Sequence, residues 1–331
     1  MKPYASLSAK GQVDRIRRAM EGVVDSEWGM CGATLRLVSH DYNTTFRVDS
    51  DQGRYALRVN TASPHSSEKL RTEIAFVRHL SEARTFRVAA PISKPDGDPI
   101  ATIDVPGFER PLFAVLYEWL PDPTVGSRAT PEILRSLGAA TRELHALGET
   151  FTFGGRPFPT LNEPYYGDEY RLPGKDLDLA LFEECAERTM RVFAQLEGQR
   201  KIPLHADLHL HNVKFGPGGL SVFDFDDAMV SWPIMDAAIS LWYLRRNARD
   251  RELEPFYWEG FGASPADFGL SSEAFETLVA ARTLLLVNDI VGTQNATAQA
   301  EAVPFIRKSE SLLRYFLDTG RYAPWEVPSP E

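Results

Sequence analysis

Two neighbouring stretches decide the reading: LHADLHLHNVKF, residues 204–215, and SVFDFDDA, residues 221–228. Asp207 is followed five positions later by Asn212, and Asp224 comes twelve residues after that. The β-formers around the Pro-Gly-Gly turn at 217–219 predict two short strands, 212–216 and 220–225. Folded back on that turn, the strands put Asp224, at the end of an apolar run, beside Asn212. His205, His209 and His211 alternate with Asp207 in the first stretch.

Upstream, residues 33–38 (ATLRLV), 44–49 (TTFRVD) and 54–59 (RYALRV) read as an antiparallel meander broken by turn-rich SHDYN and SDQG. A helix is predicted over 67–83, where Leu70, Ile74, Val77 and Leu80 share a face and Ser66 or Ser67 can cap the start. Asp96 and Gly97 mark a hairpin turn between VAAPISK and PIATIDV, and a strand at 113–120 ends at Pro121. Beyond Pro121 the pattern turns helical. Thr130 caps a helix over 130–147 with Pro131 at its first position. Further helices are predicted at 176–198, 234–244, 273–290 and 302–317, with a long loop over 148–176. The expected fold is α+β and bilobal, of the protein-kinase type: a small antiparallel β-rich N-lobe (1–119, nucleotide-binding) and a larger, mainly helical C-lobe (120–331, catalytic and acceptor-binding).

The chain has 331 residues, 43% of them hydrophobic and 25% charged, enough for a large core. The net charge of −10 speaks against a nucleic-acid or anionic-membrane surface, both of which demand excess Lys and Arg. Cys31 and Cys185 are far apart and form no zinc or disulfide pattern. No signal-type leader is evident, and no apolar run approaches the roughly 18 residues of a membrane span. A soluble cytoplasmic protein is expected.

Phosphoryl transfer asks little covalent chemistry of a protein. It needs a carboxylate to orient a hydroxyl and accept its proton, and oxygen ligands for magnesium. Asp207, with Asn212 and Asp224 near it, meets both needs. The alternating histidines suggest a rival, a metal-dependent hydrolase. The second strand supplies only Asp, however, and the other histidines form no matching set. His205 and His209 then pin the loop by hydrogen bonds.

HADLHLHN followed by FDFDDA resembles the HGDLHxxN…IDFDD pattern of the aminoglycoside phosphotransferase superfamily, which includes choline kinases and type II homoserine kinases. Residues 43–48 and 54–59 resemble its strands around the nucleotide loop, 137–147 its helix ending in Leu-His, and 256–261 (FYWEGF) its later aromatic-Gly segment. The resemblance implies ATP and Mg2+ as cofactors, Asp207 as catalytic base, and Asn212 and Asp224 as magnesium ligands. Asp236 resembles the Asp that opens the helix after the metal strand. On the nucleotide side, the loop 39–46 lacks glycine, so phosphates would meet Asn43 or the hydroxyls of Thr44 and Thr45. Arg58 stands where most kinases have Lys, and offers a planar fork in place of a point charge. Glu73, fifteen residues on, is its expected partner. The adenine is expected against the connector that contains Glu118 and Trp119.

The acceptor is expected to be a small molecule with a hydroxyl, such as an amino alcohol, amino acid, sugar or aminoglycoside. Asp226, Asp227 and the loop acids Glu163, Asp168, Glu169 and Asp176 favour a cationic group. Tyr165, Tyr166 and Trp232 are candidates to stack on it. Trp242, on an apolar helix, reads as core. A Ser/Thr protein kinase of the bacterial stress-response type is the alternative, although no activation segment with an APE-like end follows Asp224. A non-catalytic nucleotide-binding regulator is the third reading. The oligomeric state is not legible.

Overall fold

The structure, a computed structural model, describes residues 3–40, 42–61, 66–165, 169–246, 249–293 and 296–327. The chain forms two compact units. One comprises Met1–Arg78, Ala89–Pro121 and Thr293–Glu301; the other comprises His79–Val88, Asp122–Gly292 and Ala302–Glu331.

The first unit is built on a sheet of β1 (Thr34–His40), β2 (Thr44–Ser50), β3 (Gly53–Val59), β5 (Pro91–Ile92), β6 (Ile100–Ile103) and β7 (Leu112–Glu118). Its order is β1-β2-β3-β7-β5, with β6 also on β7. The hairpin expected around Asp96 is only partly present. The turn forms, with Gly97 N–H donating to Lys94 O at 2.9 Å. Its two strands do not pair with each other, however; both lie along β7, β5 opposite Leu116 and Tyr117 and β6 opposite 112–115.

The alternation of side chains along the strands gives the sheet two apolar faces. Phe46, Val48, Leu57, Val59, Leu112, Ala114 and Leu116 pack against helix α1 (Ala9–Trp28) through its Ile16, Met20, Val24 and Trp28. Val115 and Tyr117 pack instead with Leu70 and Ile74 of helix α2 (Ser67–Leu80). Arg58 falls between Leu57 and Val59, so it projects to the α2 side. Ser66 caps α2 through a 3.2 Å bond from Lys69 N–H. Sequence reasoning missed α1. Its signal was present: Val13, Ile16, Met20 and Val24 at helical spacing, with Ser8 accepting from Gly11 N–H at the start and Gly29 in the left-handed region at the end.

In the second unit, β4 (Phe86–Val88) joins the sheet β4-β10-β9, where β9 is Val213–Gly216 and β10 is Gly219–Val222. That parallel pairing explains why His79–Val88 groups with the large unit. A second, two-stranded sheet pairs β8 (Ile202–Leu204) with β11 (Met229–Ser231). The remaining elements are helices: α3 (Pro131–Thr150), α4 (Leu179–Leu196), α5 (Ile234–Arg245), α6 (Glu254–Phe261), α7 (Ser272–Ile290) and α8 (Ala296–Thr319). Helices α5 and α7 are buried nearly all round and form the centre of the unit. Trp242 belongs to this core and donates Nε1–H to Thr283 at 2.9 Å.

Helices α3 and α6 meet at two glycines. A Cβ on Gly138 would run into the Tyr257 carbonyl oxygen, and one on Gly260 into the Arg135 carbonyl oxygen. Neither obstacle is the end of a flexible side chain, so the helices would have to part. Gly260→Ala is expected to destabilise the fold by about 1–3 kcal/mol through overpacking, read as a lower denaturation midpoint with an unchanged far-UV spectrum; an unchanged midpoint would refute this close contact.

Candidate active site

The loop from β8 to β9 carries Asp207. Its start is held from beneath by Asp236 in the first turn of α5, a side chain with 0% exposure. The Asp236 carboxylate accepts Ala206 N–H at 2.8 Å and His205 N–H at 3.4 Å, and also contacts His145 Nε2, from α3, at 2.9 Å. These bonds hold Ala206 in the left-handed region, φ 59°, where a side chain normally costs on the order of 1–2 kcal/mol. Ser240 Oγ donates to the Leu208 carbonyl at 2.5 Å and fixes the next turn.

The His205 ring is buried and fully used. Its Nδ1 accepts Asp207 N–H at 3.3 Å, so Nε2 bears the hydrogen and donates to the Phe223 carbonyl at 3.1 Å. Burial pushes this imidazole below its ordinary pKa, consistent with the neutral form. His209 follows the same pattern: Nδ1 accepts His211 N–H at 3.1 Å, and Nε2 lies 3.3 Å from Asp207 Oδ2. Tyr243 stacks on that ring at 3.8 Å between centroids. Both imidazoles are thus occupied within the protein, and the described residues contain no cluster of three or more His, Cys, Asp or Glu suited to a metal.

Asp207 is the meeting point. Asn212 Nδ2 donates to its Oδ2 at 2.8 Å and to its backbone carbonyl at 2.9 Å. Arg282 Nη2, from α7, lies 2.5 Å from Oδ1. Burial by itself would raise this carboxyl, but His209 and Arg282 outweigh it and hold Asp207 well below the usual carboxylate range. It is therefore ionised at neutral pH.

The β9–β10 hairpin brings the remaining carboxylate near. Val213 pairs with Val222, and Phe223 N–H donates to the Asn212 carbonyl at 3.1 Å. The strand stops there, earlier than expected, and Asp224 turns out of it at φ 66° with its side chain exposed. A left-handed aspartate is tolerated better than most residues but remains an outlier of the kind that gathers at functional sites. Since Asn212 directs its amide nitrogen to Asp207, its Oδ1 is the group left for another partner. An amide oxygen just before β9 and a carboxylate just after β10, its antiparallel partner, form a donor set that fits a hard divalent cation.

The acceptor-side candidates separate. Asp227 lies 3.4 Å from Arg282 Nη2 and is 41% exposed, and Asp226 is half-buried. Tyr165 is half-buried and packs on Tyr170 at 4.9 Å. Tyr166 and Asp168 lie outside the described residues. Trp232 has to be corrected: it has 0% exposure and sits between Phe193 at 5.1 Å and Lys201 Nζ at 4.3 Å, so it is core and out of a ligand's reach.

In the first unit, Arg58 Nη2 lies 2.6 Å from Glu73 Oε1, both side chains buried, with Tyr117 OH 3.4 Å from the same oxygen. The loop after β1 is short: His40 pairs with Thr44, and the Thr44 hydroxyl is spent on His40 Nδ1 at 2.8 Å. Asp41 lies outside the described residues. Asn43 is half-buried, and its Oδ1 has no hydrogen-bond partner among them. Glu118 is exposed, and its N–H is taken by the Ala90 carbonyl at 2.9 Å. Trp119 is half-buried, with the Arg47 guanidinium 6.0 Å from its ring.

Sequence reasoning missed Arg282 and Tyr243. Arg282 had a signal: it is the one basic residue in the apolar helix Ser272–Ile290, and a buried Arg needs a partner.

A β-sheet unit with a buried Arg–Glu pair and a helical unit with this Asp–Asn loop define a two-part kinase-like fold. A model of the phosphotransferase enzyme family matches residues 34–270, and the chain belongs to that family; it is a kinase. Amicoumacin kinase of Bacillus subtilis is 24% identical over 235 residues, covering 66% of each chain. Among solved structures, a microcompartment-associated aminopropanol kinase superposes with a TM-score of 0.69 at 19% identity, covering 92% of this chain and 99% of its own. An amicoumacin kinase solved with AMP-PNP, Ca2+ and Ami gives 0.68 at 18%, covering 96% and 98%.

Asp236→Ala would leave two buried amides and His145 without their acceptor. It is expected to cost roughly 3–5 kcal/mol, measured by denaturant unfolding, whereas a loss below about 1 kcal/mol would mean that water or another group replaces the carboxylate.

Proposed function

We propose that the chain transfers the γ-phosphate of ATP to a hydroxyl of a small, amine-bearing molecule. One observation carries the reading: the Asn212 amide nitrogen is bonded to the Asp207 carboxylate, so a single contact sets the orientation of both the base and the metal-binding oxygen. Asp207 takes the hydroxyl proton as the acceptor oxygen attacks the γ-phosphorus, and the bond to the β–γ bridging oxygen breaks to release ADP. Asn212 Oδ1 and Asp224 are the assigned magnesium ligands. Bound there, magnesium would neutralise phosphate charge in the transition state.

Arg58, held by Glu73, is assigned to nucleotide phosphate. The planar guanidinium matches phosphate oxygens as a fork, which an ammonium does not, and Glu73 fixes its orientation. Asn43, in the loop between β1 and β2, is assigned to the same phosphates through its amide nitrogen, the atom of that side chain that can donate. The backbone around Glu118 and Trp119 is assigned to the adenine, with the Glu118 N–H already committed.

For the acceptor, Asp227 and Asp226 favour a cationic group beside the hydroxyl. The similarity to proteins named for aminopropanol and amicoumacin supports a small molecule over a protein serine or threonine. Among the described residues no helix is long and apolar enough to cross a membrane. A cytoplasmic setting, with its supply of ATP, suits this reading.

MgATP is expected to raise the melting temperature, and Asp224→Ala to abolish that rise. Asp207→Asn should keep the rise and lower transfer of labelled γ-phosphate to amino alcohols by at least about a hundredfold. Absence of any shift with MgATP or MgGTP would sink the proposal, and full turnover by Asp207→Asn would remove Asp207 as the base.

A further inference from the structure

Arg282 is 2% exposed and sits in the apolar middle of α7. A guanidinium is found in such a place only when its charge is met. Its Nη2 reaches Asp207 Oδ1 at 2.5 Å, Asp227 Oδ2 at 3.4 Å and Tyr243 OH at 3.3 Å, while Nη1 lies 3.5 Å from the Ala206 carbonyl. Every one of these partners is on the catalytic loop, on the segment after Asp224, or on the residue stacked against His209.

An ionised carboxylate offers about four lone-pair directions. Asn212 and His209 both approach Oδ2 of Asp207, at 2.8 and 3.3 Å. Arg282 takes one direction on Oδ1. The remaining direction is therefore also on Oδ1, and the oxygen that receives the proton is defined. Without Arg282 the carboxylate could rotate about its last bond, and Asp207 and Asp227 would lose the guanidinium that both approach.

We infer that Arg282 is a positioning residue: it locks the Asp207 carboxylate so that Oδ1 faces the acceptor hydroxyl, and it holds Asp227 at a fixed span from that oxygen. The two carboxylates share one guanidinium nitrogen, a spacing that a short amino alcohol bridges with its hydroxyl at Asp207 and its ammonium at Asp227. The inference rests on the phosphotransfer reading and adds to it a choice of oxygen and the residue that fixes it.

The test compares wild type, Arg282→Lys and Arg282→Ala in MgATP turnover. The acceptors are aminopropanol and ethanolamine, simple alcohols of the same length without the amine, and water. Wild type should favour the amino alcohols. Arg282→Ala should lose about a hundredfold in kcat, with the KM for MgATP within about twofold of wild type. Arg282→Lys should fall between the two, because an ammonium can replace Nη2 but not the Nη1 bond to Ala206. Guanidinium chloride should restore part of the kcat of Arg282→Ala, and sodium chloride at equal ionic strength should not. Wild-type kcat in either variant would overturn the inference, as would a loss in both that guanidinium leaves unmoved. Should Arg282→Ala fail to fold, the kcat and KM of Arg282→Lys decide alone: an unchanged kcat overturns the positioning role. Wild type whose melting temperature rises with MgATP but that turns over none of these acceptors would overturn the amino-alcohol assignment, whereas a wild type that MgATP does not shift at all would overturn the phosphotransfer reading on which the inference rests.

Discussion

One buried carboxylate sets the frame for the active loop. Asp236 has no exposure, yet it receives two successive backbone N–H groups and a histidine. An unmet N–H in that position would cost about 1–3 kcal/mol, and the left-handed Ala206 adds strain of similar size. A chain left to itself would not take this turn. With Asp236 in place, the turn becomes the arrangement in which the most polar groups are satisfied, and the next residue, Asp207, leaves it in a fixed direction. Helix α5 contributes the carboxylate and α3 the histidine, so the packing of the helical unit is transmitted to the Asp207 side chain.

The electrostatics at Asp207 favour orientation over basicity. Burial opposes its charge, but Arg282 at 2.5 Å and the neighbouring His209 outweigh that effect. A carboxylate held below its ordinary range is a weaker base than a free one. That suits a reaction whose transition state is loose, where the hydroxyl needs aiming before it needs deprotonation. The two histidines contribute as hydrogen-bonded struts: each ring accepts a backbone N–H two residues on and donates from its other nitrogen. A metal could reach those nitrogens only by displacing these bonds, which argues against a metal centre built on His205 and His209.

Much of this was legible because it is local. The Asp207–Asn212 spacing, the Pro-Gly-Gly turn and the apolar strand before Asp224 lie within about twenty residues of one another, and turn chemistry alone brings them together. The Arg58–Glu73 pair was readable through the kinase pattern of a basic residue on the third strand and a Glu on the following helix, and the two side chains do meet. What escaped depended on distant packing. Arg282 reaches Asp207 across 75 positions of sequence, and only its isolation in an apolar helix hinted at a partner. Trp232 looked like a stacking surface because an aromatic residue near acids is ambiguous in sequence; Phe193 and Lys201, from other elements, decide that it is core. The strands flanking Asp96 read as a hairpin because alternation does not tell which neighbour a strand chooses, and β7 takes them both.

The most direct measurement is a crystal structure of the protein with magnesium and a non-hydrolysable ATP analogue. Asn212 Oδ1 and the Asp224 carboxylate are expected on the metal, with Asp207 Oδ1 turned to the γ-phosphate side and still bonded to Arg282. A metal coordinated by His205, His209 or His211, or an analogue bound with Asn212 and Asp224 both away from the metal, would contradict the assignment.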